Sequence, residues 1–257
     1  MAWVLDLDGV IWRGDQPIDG SARAVARLRE AGERLVFVTN NSFAPASEVA
    51  AKLERLGIEA RDDVVTSAMA AALLVEPGDT VLLCGGPGAR EELEKRGATV
   101  VDDFASEVPD AVVVGFHRDF TYERMSIATR AVRGGARLIA TNDDATFPTA
   151  DGIVPGGGAI LASIVTASGK PAVVAGKPYP PMVDYVRARV GSWGFAVGDR
   201  PNTDGLFAHA LGFRFGLVLT GVTRPIDFPV HPLPDLLAND LETLVRDVLD
   251  GAAGSFS

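Results

Sequence analysis

Short apolar runs alternate with helical segments along most of this 257-residue chain. The runs have the length and the β-branched content of buried strands, and include residues 3–5, 35–38, 81–84, 111–115, 137–140, 195–197 and 215–219. The segments between them carry apolar residues at helical spacing, and several end at a glycine. Since strands that alternate with helices form parallel sheets with right-handed crossovers, we predict an α/β protein with a doubly wound parallel sheet.

The composition narrows the class of partner. A formal net charge of −10 disfavours nucleic acid, because phosphate backbones are bound by basic patches. The sequence contains no apolar run of the ~20 residues that a membrane span needs and no signal segment, so we expect no membrane contact and a cytoplasmic location. The single cysteine, Cys84, ends an apolar run, which favours a buried structural thiol over a nucleophile.

The chain also shows signs of a second folding unit. Pro77-Gly78-Asp79 interrupts the pattern, a new series of strands and helices follows, and a Gly/Pro-rich link occupies residues 154–158. We therefore expect three segments: 1–76 and 173–257 forming a core, and 77–172 forming an inserted α/β unit.

Two carboxylates follow the first predicted strand, in Asp6-Leu7-Asp8-Gly9. Like charges this close need a cation or a shared proton, and Mg²⁺ prefers carboxylate and carbonyl oxygens. A metal-assisted reaction with a carboxylate nucleophile is one interpretation. A solvated turn is the other, because Asp-x-Asp-Gly is common in loops.

Polar residues also follow other predicted strands. Thr39 and Asn40 end the second strand, and Asp199 and Asp204 follow the strand at 195–197. Ligands of doubly wound sheets bind at the carboxyl ends of the strands, so we expect these groups to meet near Asp6. For Asp204, helix capping and metal contact are equally compatible with the sequence.

Other motifs carry less information. Lys177, between Gly176 and Pro178, precedes a predicted helix, where a lysine is able to neutralise a phosphate at the helix N-terminus. Residues 85–88 have the glycines of a phosphate loop but lack its Gly-Lys-Ser/Thr ending, which favours a tight turn. The tryptophans, Trp3, Trp12 and Trp193, show no stacking pattern, and the histidines show no ligand spacing.

Four segments in this order resemble the four motifs of the haloacid dehalogenase superfamily. They are residues 6–10 (DLDGV), 38–42 (VTNNS), 176–178 (GKP) and 198–204 (GDRPNTD). The Thr-Asn-Asn-Ser form of the second motif and the segment Ala140-Thr141-Asn142-Asp143 are similar to the NagD-like phosphatases, which include p-nitrophenyl phosphatases. The resemblance implies a Rossmann-like core with an inserted α/β cap.

The same resemblance implies roles for individual residues. Asp6 would be the nucleophile that forms an aspartyl-phosphate, and Asp8 the general acid and then base. Thr39 and Lys177 would bind the phosphoryl group, with Asn40 and Asn41 beside them. Mg²⁺ would lie on Asp6, the backbone carbonyl of Asp8, and Asp199. Asp8 weighs against a dehalogenase, because the dehalogenating members of the family lack the acid at this position.

Some expected contacts lie outside these motifs or depart from them. Asn142 and Phe147, in the polar segment 142–148, are expected to contact the leaving group and select the substrate. Asn202 and Asp204 are expected to support the metal ligands, although Pro201, Asn202 and Gly205 differ from the usual pattern of the fourth motif.

Three functions remain open on the sequence alone. The first is a Mg²⁺-dependent phosphomonoesterase acting on a small phosphorylated metabolite through the covalent intermediate. A phosphotransferase or mutase on the same scaffold is the second, and a catalytically silent binding module is the third. The protein is expected to be a monomer or a homodimer formed through the cap.

Overall fold

The computed structural model describes residues 1–60, 62–105, 107–149 and 152–251. The strands, numbered along the chain, are β1 Ala2–Leu5, β2 Trp12–Arg13, β3 Gln16–Pro17, β4 Arg34–Thr39, β5 Val64–Thr66, β6 Thr80–Cys84, β7 Thr99–Val101, β8 Ala111–Val114, β9 Arg137–Ala140, β10 Thr146–Thr149, β11 Gly152–Pro155, β12 Val173–Val174, β13 Gly194–Gly198, β14 Arg214–Val218 and β15 Leu236–Ala238.

The helices lie between these strands. They are α1 Ser21–Glu30, α2 Ala46–Arg55, α3 Ser67–Ala72, α4 Pro87–Lys95, α5 Tyr122–Arg133, α6 Gly157–Ser168, α7 Pro180–Val190, α8 Leu206–Leu211 and α9 Leu241–Leu249. None of the helices in the described ranges is long and apolar enough to cross a membrane.

Six strands form the sheet that carries the first motif, in the order β15-β14-β13-β1-β4-β5. The strand pairs from β15 to β4 are parallel. The apolar run that predicts β1 is buried along its whole length because it lies between β13 and β4, and the Trp3 ring stacks on Phe195 of β13 with 4.9 Å between centroids. Burial of both faces explains why β1 reads as a continuous apolar run rather than an alternating one.

Five strands form a second sheet, in the order β12-β9-β8-β6-β7, and the four strand pairs within it are also parallel. Val112 and Val114 of β8 are fully buried, and helices α5 and α6 pack against the same apolar cluster. The prediction of an α/β protein built on parallel sheets is confirmed.

The structure divides into two compact units. The first comprises Met1–Thr39, Val49–Val65 and Val183–Ser257, and the second comprises Asn40–Glu48 and Thr66–Met182. These bounds differ from the expected insertion at 77–172. In particular β12, which we expected to resume the core, pairs with β9 through Val173↔Ile139, and so belongs to the second sheet. An apolar run predicts a strand, but its sequence does not identify the strand it pairs with.

Two short hairpins were not predicted. The residues that follow the first motif contain β2 and β3, and β10 and β11 overlap the polar segment 142–148 and the Gly/Pro-rich link at 154–158. Both hairpins are antiparallel, and each has a proline in at least one strand, which weakens the strand signal in the sequence.

Candidate functional site

The central strands of the first unit end in polar side chains. Asp6 directly follows β1, Asp199 directly follows β13, and Thr39 is the last residue of β4. Because Leu5 of β1 is in register with Val197 of β13, the two aspartates leave neighbouring strands at the same end of the sheet, offset by one residue. The sheet order explains how residues nearly 200 positions apart reach one edge.

Three carboxylates meet at this edge. One oxygen each from Asp6, Asp199 and Asp204 lies within 4.8 Å of the others. Asp199 and Asp204 are 2% and 4% exposed, and Asp6 is half-buried. Three acidic groups this close repel one another unless a cation or protons neutralise them, and an all-oxygen set suits Mg²⁺. The residues present therefore fit a magnesium ion.

Asp204 has two roles in this arrangement. Its Oδ2 accepts the backbone N–H groups of Asp199 at 3.2 Å and Arg200 at 3.1 Å, which closes the turn at Pro201–Gly205. It also supplies one of the three clustered oxygens. The N–H groups that Asp204 accepts belong to residues that precede it, so its carboxylate closes this turn rather than capping helix α8, and the same carboxylate lies in the acidic cluster.

Asp199 is fixed by a segment that the sequence analysis did not identify. The Val222 N–H donates to Asp199 Oδ2 at 2.5 Å, and the Thr223 hydroxyl donates to the Asp199 carbonyl at 2.6 Å. Gly221 is required beside them, because a Cβ there would lie 1.9 Å from Asp199 Oδ2. The only sequence signal was the polar Thr220 at the end of a predicted strand.

Asp8 takes a different position from the three clustered carboxylates. Its side chain is half-buried, and its Oδ1 accepts the indole N–H of Trp12 at 3.0 Å. The tight loop depends on Gly9, whose φ of +83° suits glycine and whose added Cβ would lie 2.6 Å from Asp199 Oδ2. Trp12, which showed no binding pattern in the sequence, is thus a direct partner of Asp8.

The second unit contains the predicted lysine. Lys177 is 4% exposed, and its backbone is held by Asn40: Oδ1 of Asn40 accepts the Lys177 N–H at 2.8 Å, and Nδ2 donates to the Lys177 carbonyl at 3.1 Å. The second N–H of the Asn40 amide donates to Asp144 at 3.0 Å. Asn40, expected beside the phosphate as a substrate contact, thus uses both of its amide hydrogens within the protein and positions Lys177.

Two other expected substrate contacts also make protein contacts in the second unit. Asn142 is 5% exposed and donates to the Asn40 carbonyl at 2.7 Å, so it supports the loop around Asn40. Asn41 accepts the Phe43 N–H at 2.9 Å and thereby forms a local turn.

Phe147 is half-buried and belongs to a row of three aromatic rings. Its ring stacks on Phe116 at 5.6 Å between centroids, and Phe116 meets Phe43 edge-on at 5.8 Å. Nearby, the Tyr179 hydroxyl donates to Asp143, and this bond to the protonated phenol raises the pKa of Tyr179 to about 12. The segment 142–148, which was expected to select the substrate, is thus held at its start by hydrogen bonds and at Phe147 by ring contacts.

Asn202 does not join the metal cluster. Its side chain is exposed, whereas its neighbours Pro201, Thr203 and Asp204 are buried. The departure from the usual fourth motif at this position therefore falls on the outer side of the turn, while Asp204 remains in the cluster.

The protein families and solved structures that resemble this chain agree with the motif order. A model described as haloacid dehalogenase-like hydrolase matches residues 3–99, and one described as HAD-hydrolase-like matches residues 174–244. The chain is 36% identical to an acid sugar phosphatase of Staphylococcus saprophyticus over an alignment of 259 residues, gaps included. The alignment covers 96% of this chain and 97% of that protein.

Two solved structures are similar over nearly all of this chain. The p-nitrophenyl phosphatase from Archaeoglobus fulgidus has a TM-score of 0.88 and 32% identity, with 95% of this chain and 98% of that one covered. The glycerol phosphate phosphatase from Mycobacterium tuberculosis in complex with magnesium has a TM-score of 0.87 and 37% identity, with 95% and 75% covered. Together with the four ordered motifs, this similarity means that the chain belongs to the haloacid dehalogenase superfamily of hydrolases.

Proposed function

We propose that the protein is a Mg²⁺-dependent phosphomonoesterase that hydrolyses a small phosphate ester. The observation that carries the proposal is the cluster of Asp6, Asp199 and Asp204 oxygens within 4.8 Å of one another at the edge of the central sheet. When bound there, Mg²⁺ supplies positive charge that offsets the repulsion between a carboxylate and a phosphate dianion.

The residues of the chain have distinct tasks in this reaction. The Asp6 carboxylate attacks phosphorus and displaces the alcohol, which forms an aspartyl-phosphate. Asp8 donates a proton to the departing alkoxide, then removes one from the water that hydrolyses the intermediate. Thr39 contributes a hydroxyl for the phosphoryl oxygens, and Lys177 contributes an ammonium group whose charge offsets that of the phosphate.

The experiment is the hydrolysis of p-nitrophenyl phosphate by the purified protein in Mg²⁺ and in excess EDTA. Wild type is expected to need the metal. The kcat of Asp6→Asn is expected to fall on the order of a thousandfold or more, because the variant lacks the nucleophile. Asp62→Asn, an exposed carboxylate of the same unit, is the matched control and should keep full activity. Full activity of Asp6→Asn would refute the covalent route.

The names of the relatives guide the substrate screen. A sugar phosphatase and a glycerol phosphate phosphatase are among them, so we propose a phosphomonoester of a sugar or small polyol as the substrate. The segment 142–148, with Phe147, is proposed to select the leaving group. A screen of sugar phosphates, glycerol 3-phosphate and nucleotides tests this class.

We propose an inserted cap formed by the segment 77–172, a cytoplasmic location, and either a monomer or a homodimer formed through that cap. Light scattering on the purified protein measures the mass and separates the two states.

A further inference from the structure

Asp8 lies in a four-residue loop that is closed by three hydrogen bonds from or to Trp12. The Gly9 N–H donates to the Trp12 carbonyl at 2.7 Å, and the Trp12 N–H donates to the Leu7 carbonyl at 3.2 Å. The third bond is the indole N–H to Asp8 Oδ1 at 3.0 Å. The backbone bonds fix the loop, whereas the indole bond acts on the carboxyl group itself and restrains its direction.

Trp12 is itself held by a strand pairing of its backbone and by a lysine over its ring. It is 4% exposed, and its backbone pairs with Pro17 in the β2–β3 hairpin. The Lys52 ammonium lies 4.2 Å from the ring centroid and donates to the Gly14 carbonyl at 2.6 Å. A cation over an indole face is attracted by the ring quadrupole, so Lys52 restrains the ring that orients Asp8.

This restraint matters for one step of the reaction. A general acid transfers its proton only when its oxygen is within about 2.6–3.2 Å of the leaving-group oxygen, in the correct direction. An aspartate has two rotatable side-chain bonds, and a hydrogen bond to Oδ1 limits both. Holding Oδ1 therefore also fixes the direction in which the second carboxyl oxygen points.

We propose that Trp12 is a positioning residue that orients the carboxyl group of Asp8 for protonation of the leaving group. The proposal rests on the phosphatase function proposed above. It predicts a dependence on the leaving group, because an alkoxide needs the proton from Asp8 to depart, whereas p-nitrophenolate is a stable anion that departs without it.

The test compares kcat/KM for glycerol 3-phosphate and p-nitrophenyl phosphate in Trp12→Phe, which keeps an aromatic ring under Lys52 but has no N–H. The value of kcat/KM reports the steps up to departure of the alcohol. It is expected to fall about tenfold for the alkyl ester and less than twofold for the aryl ester. Equal losses on both esters would overturn the proposal, since they would indicate a purely structural role.

Controls separate this outcome from others. Trp193→Phe, at a 63% exposed tryptophan, should leave both values unchanged. In an Asp8→Asn background, adding Trp12→Phe should cause no further loss for the alkyl ester, and a further tenfold loss would overturn the proposal. Failure of wild type to hydrolyse either ester would refute the phosphatase function instead.

A second variant carries the test if Trp12→Phe does not fold. Lys52→Met leaves the indole in place but removes the charge over it, at a side chain that is 23% exposed. We expect a two- to threefold loss that is confined to the alkyl ester. A loss of the same size on both esters, or none on either, would overturn the proposal.

Discussion

The side-chain amide of Asn40 bonds both backbone groups of Lys177, accepting its N–H at 2.8 Å and donating to its carbonyl at 3.1 Å. This pair joins residues 137 positions apart within the second unit. Gly176 makes the approach feasible, because a Cβ there would lie 2.5 Å from Asn40 Oδ1. The amide thus fixes the main chain from which the buried ammonium group extends.

Replacing Asn40 by leucine should therefore destabilise the protein. The substitution leaves buried backbone groups of Lys177 without partners, and each such group costs about 1–3 kcal/mol. We expect the free energy of unfolding, measured in urea, to fall by about 2 kcal/mol or more. Asn202→Leu, at an exposed asparagine, should change it by less than about 0.5 kcal/mol. Equal effects of the two variants would contradict this account of Asn40.

Magnesium should stabilise the fold, and Asp204 should be needed for that effect. A ligand at 100 times its Kd adds about 2.7 kcal/mol to stability, so the Tm of wild type should rise with Mg²⁺. Asp204→Asn keeps the size of the side chain and an acceptor for the turn, but removes one of the three clustered charges. Its Mg²⁺ affinity in calorimetry should fall about 10- to 100-fold.

Asn202→Ala is the matched control for the metal measurement. Its side chain is on the exposed side of the same turn, so the Tm increase with Mg²⁺ should remain. If Asn202→Ala lost Mg²⁺ affinity as strongly as Asp204→Asn, the assignment of the cluster to Asp6, Asp199 and Asp204 would be wrong.

Cys84 should be unreactive in the folded protein. The side chain is 2% exposed, and burial raises its pKa to about 11 because the thiolate loses hydration. At pH 8 roughly one thiol in a thousand is ionised, and the fraction increases about tenfold per pH unit until the pH approaches 11. Ellman's reagent should therefore label Cys84 in urea but not under native conditions at pH 8. Complete labelling of the folded protein within minutes would contradict the prediction.

Phe147 should affect which ester is preferred. Phe147→Ala removes the ring that stacks on Phe116, and loss of an aromatic pair costs about 0.5–1.5 kcal/mol beyond the buried area. We expect the ratio of kcat/KM between a sugar phosphate and glycerol 3-phosphate to change at least threefold. Tyr122→Ala, at an 80% exposed aromatic residue of the same unit, should leave that ratio unchanged. An unchanged ratio in Phe147→Ala would remove Phe147 from substrate selection.

The elements predicted well from the sequence are those whose burial leaves a local signal. Strands β1, β4 and β13 are buried on both faces, so each appears as an uninterrupted apolar run that ends at a polar residue. That pattern placed Asp6 and Asp199 at strand ends. Parallel pairing then brought them together, as the structure shows.

The features that were missed depend on contacts between distant residues or on backbone turns. The bond from Trp12 to Asp8 exists because the chain reverses at Gly9, and no spacing of tryptophans indicates that. The support of Asp199 by Val222 comes from a loop 23 residues later. The pairing of β12 with β9 likewise is a choice of partner, which an apolar run does not specify.

The position of β1 between β4 and β13 has a consequence for the order of folding. β4 follows β1 within 40 residues, but β13 begins at Gly194, and both are neighbours of β1 in the sheet. A nascent chain on the ribosome therefore exposes one edge of β1 until about three quarters of the protein has been made. The carboxylates of Asp6 and Asp204 cannot meet before then, so metal binding would report that β13 has joined β1, although β14 and β15 are added to the sheet later.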